Sequence, residues 1–248
     1  MQITTEGLIL RVQSSGDRDK LCTILTAKNG VIRAFARGAA SIKNKNASAT
    51  GLFTFAKFSI YKSKDAYIID EAEIKELFFD VRGDLEKLAL SQYFCSLAIA
   101  LCREQAEDGE SLRLLLNSLA FLTKAKLPDL QIKAIFELRM MELHGYMPDL
   151  IMCQKCGCYE AGELLFLPKR GVFYCSECAA DIYEAAVRLP TGVLFAMRHI
   201  IYVDFGKIFS FKLAEKQLKI LAEVCERYVL AQTEQSFATL EFYKGLLG

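Results

Sequence analysis

Four cysteines carry the clearest chemical signal in this sequence. Cys153-Gln-Lys-Cys156 and Cys175-Ser-Glu-Cys178 are two C-x2-C pairs with 18 residues between them, a spacing that reads as a zinc site. A gap of two residues lets both thiolates of a pair turn back onto one ion, and two such turns complete a tetrahedron of sulfurs. The expected cofactor is one structural Zn2+ on Cys153, Cys156, Cys175 and Cys178. A disulfide within one pair is the alternative reading. Cys158, just past the first knuckle, is a rival ligand, although Cys156 gives the matched spacing. Four thiolates leave no open position for water or substrate, so such a site braces a fold and does no chemistry.

Nothing else in the chain points to catalysis. There are two histidines among the 248 residues. His144 is expected at a helix C-terminus, and His199 on a packed helix. There is no G-x-x-x-x-G-K-[ST] phosphate loop, and no H-x-E to pair with the cysteines as in zinc deaminases. The chain reads as a binding protein and not an enzyme.

The charge distribution says what it would bind. Residues 1–64 carry eleven Lys and Arg against three Asp and Glu, a net charge of +8; the rest of the chain carries −7, leaving +1 overall. A basic head on a mildly acidic body suits a polyanion. Within that head, alternation puts Arg33, Phe35 and Arg37 on one face of a strand and Ile32, Ala34 and Ala36 on the other. A second strand puts Phe55, Lys57 and Tyr61 opposite Ala56, Phe58 and Ile60. Rings that stack on bases beside cations that meet phosphates suit a single strand of nucleic acid. Arg11, Lys43, Lys45, Lys62 and Lys64 complete the candidate contacts. A lysine-rich solvated surface with Phe35 and Phe55 packed under helices is the bland alternative.

Positioning these side chains requires two kinds of architecture. Five strands are expected at Thr5–Gln13, Leu21–Ala27, Val31–Arg37, Leu52–Tyr61 and Ala66–Glu76, with Asn29-Gly30 closing a hairpin. Five short antiparallel strands suggest a closed OB-fold barrel over residues 1–79. The polar stretch 41–51 reads as a mobile loop. From residue 80 to 248 the period is helical: Asp84–Arg103, Ser111–Lys126, a helix from Pro128 stopped by Gly145 and Pro148, and Ala214–Thr233. The zinc ribbon, at about 150–180, interrupts this all-α body with a hairpin of Leu164–Leu167 and Val172–Tyr174 around Pro168–Gly171. The class is therefore α+β.

The longest uncharged run, Leu88–Cys102, spans 15 residues, short of the roughly 20 needed to cross a bilayer. No basic segment followed by an apolar stretch opens the chain, so no signal peptide and no membrane partner are expected. Cys22, Cys95, Cys102 and Cys225 lie among apolar residues, which with the metal knuckles suits a reducing cytoplasm.

Several motifs in order resemble a known family. Gly7-Leu-Ile-Leu-Arg-Val, Gly16-Asp-Arg-Asp-Lys-Leu-Cys-Thr-Ile-Leu-Thr26, Gly30 and Ala36-Arg37-Gly38-Ala39 are similar to the N-terminal OB domain of the bacterial RecO family. Phe136-Glu-Leu-Arg-Met-Met-Glu-Leu-His-Gly145-Tyr-Met-Pro148, followed by Cys153-x-x-Cys156-Gly157, resembles its helix leading into the zinc segment. The resemblance implies a non-enzymatic DNA-repair mediator that binds single- and double-stranded DNA and anneals complementary strands. It implies action with RecR to load RecA onto DNA coated by single-strand-binding protein, contact of the helical body with that protein's C-terminal tail, and a nucleoid-associated place in the cytoplasm. DNA contact then falls most directly on Arg37 beside Gly38. Where the family often has a further basic residue, this chain has Ala40-Ser41, with Lys43 and Lys45 close by. A zinc-ribbon adaptor of a transcription or translation assembly, without DNA binding, is the competing reading.

Overall fold

A computed structural model describes residues 2–63, 66–159, 162–180 and 182–248. The chain packs as two compact units, 1–124 with 237–248, and 125–236.

The first unit is built on a closed barrel of β1 (Gln2–Ser15), β2 (Asp19–Thr26), β3 (Gly30–Ala36), β4 (Thr54–Lys62) and β5 (Tyr67–Leu77). Its strand order is β1-β2-β3-β5-β4, with β4 returning to pair β1. Small and branched side chains fill the interior: Ile9, Cys22, Ile24, Ile32, Ala34, Ala36, Ala56, Phe58 and Ile60 pack together, all buried. Ala34 and Ala36 keep that interior narrow enough to fill with side chains alone. The pairing of β3 with β5 is parallel, not antiparallel as the sequence suggested. A short barrel of five strands closes only if one connection crosses over, and the long β3–β4 segment makes that possible. These are the features of an OB-fold.

Gly30 shows why the β2–β3 turn needs glycine. Its φ is +60°, and an added Cβ would lie 1.8 Å from the Arg103 carbonyl oxygen. The segment after α1 (Leu85–Leu101) is pressed onto this turn, with Gln105 N–H donating to Asn29 O at 2.9 Å and Asp108 N–H to Ala27 O at 3.0 Å. Asp84 caps α1 by accepting from the Glu86 and Lys87 amides. α1 is apolar around most of its circumference because the barrel, α2 (Gly109–Lys124) and a returning C-terminal helix, α6 (Ala238–Leu246), share its surface. Tyr93 on α1 meets Phe237 edge-on at 5.8 Å. The helical region after residue 80 is thus divided: α1, α2 and α6 pack with the barrel. The sequence pattern did not reveal α6, whose helical run is only 9 residues long.

The second unit sets α3 (Asp129–Leu143), α4 (Thr191–Tyr202) and α5 (Glu215–Thr233) against a three-stranded ribbon, β7-β6-β8. The expected hairpin is β6 (Glu163–Leu167) with β7 (Val172–Cys175), and Gly171 turns at φ +65°. The short β8 (Val187–Pro190), absent from the sequence reading, pairs with β6. Leu218, Leu221, Ala222, Cys225, Tyr228 and Val229 form the buried stripe of α5. Among the described residues no helix is long and apolar enough to cross a membrane.

Candidate nucleic-acid interface and metal centre

The barrel's outer face carries the expected alternation on β3, where Arg33 is exposed and Phe35 half-buried while Ile32, Ala34 and Ala36 point inward; Arg37, expected on this strand, is exposed in the turn just past its end. On β4, Phe55 is half-buried and Lys57 and Tyr61 are exposed, with Ala56, Phe58 and Ile60 inside. β3 and β4 are separated by β5, so register decides which of these residues meet. Ile68 pairs with Phe35 on one side and with Tyr61 on the other, which makes Phe35, Ile68 and Tyr61 one cross-strand row.

A groove of about 670 Å³ opens at the end of that row, lined by Arg37, Asn44, Lys45, Tyr61, Ile68 and Asp70 among others. A neighbouring hollow of about 550 Å³ shares Ser63 with it and is lined by Arg33, Lys62 and Tyr67. The Lys62 ammonium sits 5.1 Å from the Tyr67 ring centroid. The structure therefore groups Arg37, Lys45 and Tyr61 at one groove, with Arg33 and Lys62 beside it. Lys43 is exposed on the same loop as Lys45. Lys57 lies apart, flanked across its strands by Glu6 and Glu73. Phe55 pairs with Leu8 and Glu76. Arg11, beside a bulge in β1, lines a small hollow with Gln92 and Cys95 of α1 and Thr239 of α6. Lys64 lies outside the described residues.

The loop bearing Lys43 and Lys45 is not the loose strand of chain that its polarity suggested. It folds into successive tight turns, with Asn44 N–H donating to Ser41 O, Ala47 N–H to Asn44 O and Thr50 N–H to Asn46 O. Asn44 donates from Nδ2 to Arg37 O at 3.0 Å, and Asp19 accepts the Gly38 N–H at 2.8 Å. Short polar side chains mimic backbone partners, so the start of the basic loop is held by the Asn44 amide and the Asp19 carboxylate.

The four cysteines converge. The sulfurs of Cys153, Cys156, Cys175 and Cys178 all lie within 4.8 Å of one another, and all nine cysteines are unbridged. The first knuckle is tied to the ribbon by Asp149 N–H to Gly171 O at 2.7 Å and Gln154 N–H to Phe173 O at 3.1 Å. Cys175 N–H donates to Cys153 Sγ at 3.4 Å. Burial pushes the Cys153 thiol up, but N–H groups of Cys156, Cys175 and Lys155 outweigh it and bring it down to about 6. The Cys178 thiol is pushed up to about 12, chiefly by its hydrogen bond to the Cys175 thiol, then by burial. Four sulfurs this close resist charging together, and a cation among them removes that conflict. The donor set thus fits a metal ion.

Two family models match the chain: "Recombination protein O N terminal" over residues 1–78 and "Recombination protein O C terminal" over residues 82–241. The chain belongs to the RecO family of DNA repair proteins. The DNA repair protein RecO of Acetivibrio thermocellus is 30% identical over 244 residues, covering 98% of this chain and 97% of the relative. That of Symbiobacterium thermophilum is 30% identical over 240 residues, covering 96% and 94%. That of Alkaliphilus metalliredigens is 27% identical over 246 residues, covering 98% and 99%.

In this RecO-family chain one residue behind the metal centre escaped the sequence reading. Arg198 of α4 is buried and donates from Nε to Leu150 O at 2.6 Å, and from Nη2 to Ile151 O at 2.8 Å and Tyr159 O at 3.0 Å. Its guanidinium lies 4.0 Å from the Tyr159 ring centroid. It clamps both flanks of the first knuckle. The signal was present: a lone arginine in the apolar run Val193–Ile201. The neighbouring His199 instead bonds Lys207 O at 2.9 Å and packs on Phe211.

Proposed function

We propose that this chain is a DNA-binding recombination mediator that anneals complementary strands and, with RecR, helps load RecA onto DNA coated by single-strand-binding protein. The observation that carries the reading is the Arg37, Lys45 and Tyr61 groove on the outside of an OB barrel in a RecO-family chain. Residues 1–79 act as the nucleic-acid domain. Residues 80–248 form the helical part, which meets the C-terminal tail of single-strand-binding protein. Annealing needs no covalent chemistry, so the protein works without a catalytic residue. Arg37 and Lys45 reduce the repulsion between two phosphate backbones, and Tyr61 holds an unpaired base by stacking until a partner strand arrives. Arg33, Phe35, Lys43 and Lys62 extend the track. Phe55 and Lys57 are outlying contacts, and Arg11 lines a separate hollow.

The ion is one Zn2+, which four thiolates favour over harder cations. Its role is to hold the ribbon. The protein works in the bacterial cytoplasm at the nucleoid.

The deciding experiment is annealing of complementary oligonucleotides coated by single-strand-binding protein, alongside filter binding of single strands. Faster annealing, lost in an Arg37→Glu, Lys45→Glu variant, is the expected outcome. Absence of binding at low salt would overturn the reading in favour of an adaptor.

A further inference from the structure

We propose that Ile42 is a wedge that enters between successive bases of a bound single strand and breaks their stack, with Lys43 and Lys45 holding the phosphates beside it. The proposal deepens the nucleic-acid reading of the barrel and rests on it.

Ile42 is the one hydrophobic side chain in Ser41-Ile42-Lys43-Asn44-Lys45. A lone aliphatic residue on a surface is ordinary. Ile42 is unusual in how completely it is exposed, 96%, and in how firmly it is held there. Ser41 N–H donates to Gly38 O at 3.1 Å, and Asn44 N–H to Ser41 O at 3.0 Å. Ile42 and Lys43 are therefore the two central residues of a tight turn. Both feet of that turn are fixed. Ala40 N–H donates to Arg18 O at 3.0 Å. Asn44 Nδ2 donates to Arg37 O at 3.0 Å, and Asn44 Oδ1 accepts the Asn46 N–H at 2.8 Å. An apolar side chain fixed in water contributes nothing to the fold; it contributes to binding once a ligand covers it.

The setting identifies the ligand. Asn44 and Lys45 line the groove with Arg37 and Tyr61, and Ile42, two residues before Asn44, stands at its rim. Lys43 is exposed. Lys45 meets Glu71 at 3.9 Å with both side chains exposed, an ion pair weak enough for a phosphate to displace. An aliphatic tip beside two cations matches a stack of bases with its phosphates outside. Burying an isoleucine and opening one base step are of the same order in free energy. That balance favours a single strand, whose stack opens without loss of base pairs. In an intact duplex the same insertion also breaks pairing. Because the turn is already fixed, little is lost in ordering it. The opened step keeps the strand from folding back on itself and leaves its bases free for a partner strand.

The test uses the full chain and a single-stranded adenine oligonucleotide carrying 2-aminopurine, whose fluorescence rises when it is unstacked. Substitutions at a side chain this exposed leave the fold intact. At saturating protein the parent should raise the fluorescence several-fold. Ile42→Ser should abolish most of that rise and weaken affinity roughly tenfold. Ile42→Leu, which keeps the apolar bulk, should restore both. The salt dependence of binding should be the same in the parent and Ile42→Ser, since an apolar contact releases no counterions. Equal fluorescence and affinity in the parent and Ile42→Ser overturn the wedge while leaving DNA binding by the barrel in place. Loss of binding to vesicles of anionic phospholipid in Ile42→Ser, with DNA unstacking unchanged, also overturns it and assigns the tip to a membrane surface. A parent that binds no oligonucleotide at low salt overturns the nucleic-acid reading itself, and the wedge with it.

Discussion

Asn46 accepts the Ala72 N–H at 3.2 Å through its side-chain oxygen and donates to Asp70 O at 3.0 Å through its side-chain nitrogen. Its amide spans the bulge where the β4–β5 register shifts between Ser59 and Ile60. One buried side chain thus acts as a short piece of strand and fixes the basic loop to the barrel.

Asn46→Ala should leave two backbone groups of β5 unpaired, at a cost of about 1–3 kcal/mol. The Ala72 amide should then exchange quickly with solvent, and single-stranded DNA affinity should fall although no cation has been removed. Unchanged protection of that amide would show that Asn46 does not anchor the loop.

The groove and the outlying lysine separate in a salt titration. Arg37→Gln and Lys45→Gln should each make the plot of log affinity against log salt shallower by about 0.7. Tyr61→Ala should cost about 1–3 kcal/mol in binding without changing that slope. Lys57→Gln should have the smallest effect, since Lys57 lines neither the groove nor the hollow beside it. A larger slope change from Lys57 than from Arg37 would move the interface to another face.

Lys133 forms a buried triad, 2.8 Å from Glu137 and 2.9 Å from Glu226. Burial alone would lower its pKa, but Glu137 and Glu226 outweigh burial and hold it above the usual 10.5. The folded chain therefore binds this proton more tightly than the unfolded one. The resulting stability is complete below the unfolded lysine's pKa and is lost as pH rises through the folded value. Lys133→Met should destabilise unit 125–236 by about 3–5 kcal/mol at neutral pH, because two carboxylates lose their cation. Adding Glu137→Leu should recover part of the loss. Alkaline unfolding monitored above pH 10.5 should be steeper in the parent than in the double variant; equal slopes would refute the triad's role.

Cys175→Ser removes a sulfur that is both buried and 3.7 Å from Cys156 Sγ. Metal content should fall and the unfolding temperature of the 125–236 unit should drop, while the barrel keeps weak DNA binding. Full retention of metal and melting temperature would reject Cys175 as a ligand.

Local patterns made much of this chain legible. The five strands, the α3 stop at Gly145 and Pro148 and the α5 stripe follow from alternation, helical period and turn residues, which are properties of neighbouring positions. The ribbon hairpin announced itself through Gly171. What escaped were short elements with few periods to read, β8 and α6. The ordered 41–51 loop also escaped, because its asparagines look solvent-directed until the backbone groups they satisfy are known.

By itself, the sequence determined the chemistry available: four thiolates at matched spacing, a basic head, inward alanines and outward Arg33 and Phe35 on β3, with Arg37 just past its end. Spacing within a turn or a strand is enough to place those atoms. Only the tertiary structure decided which cations share a groove. The parallel β3–β5 pairing puts Phe35 and Tyr61 on either side of Ile68, and the barrel's closure sets Lys57 between Glu6 and Glu73. It also decided that Arg198, 20 residues beyond Cys178, would clamp the first knuckle. Register and long-range hydrogen bonds join residues far apart in the chain, and no local period encodes them.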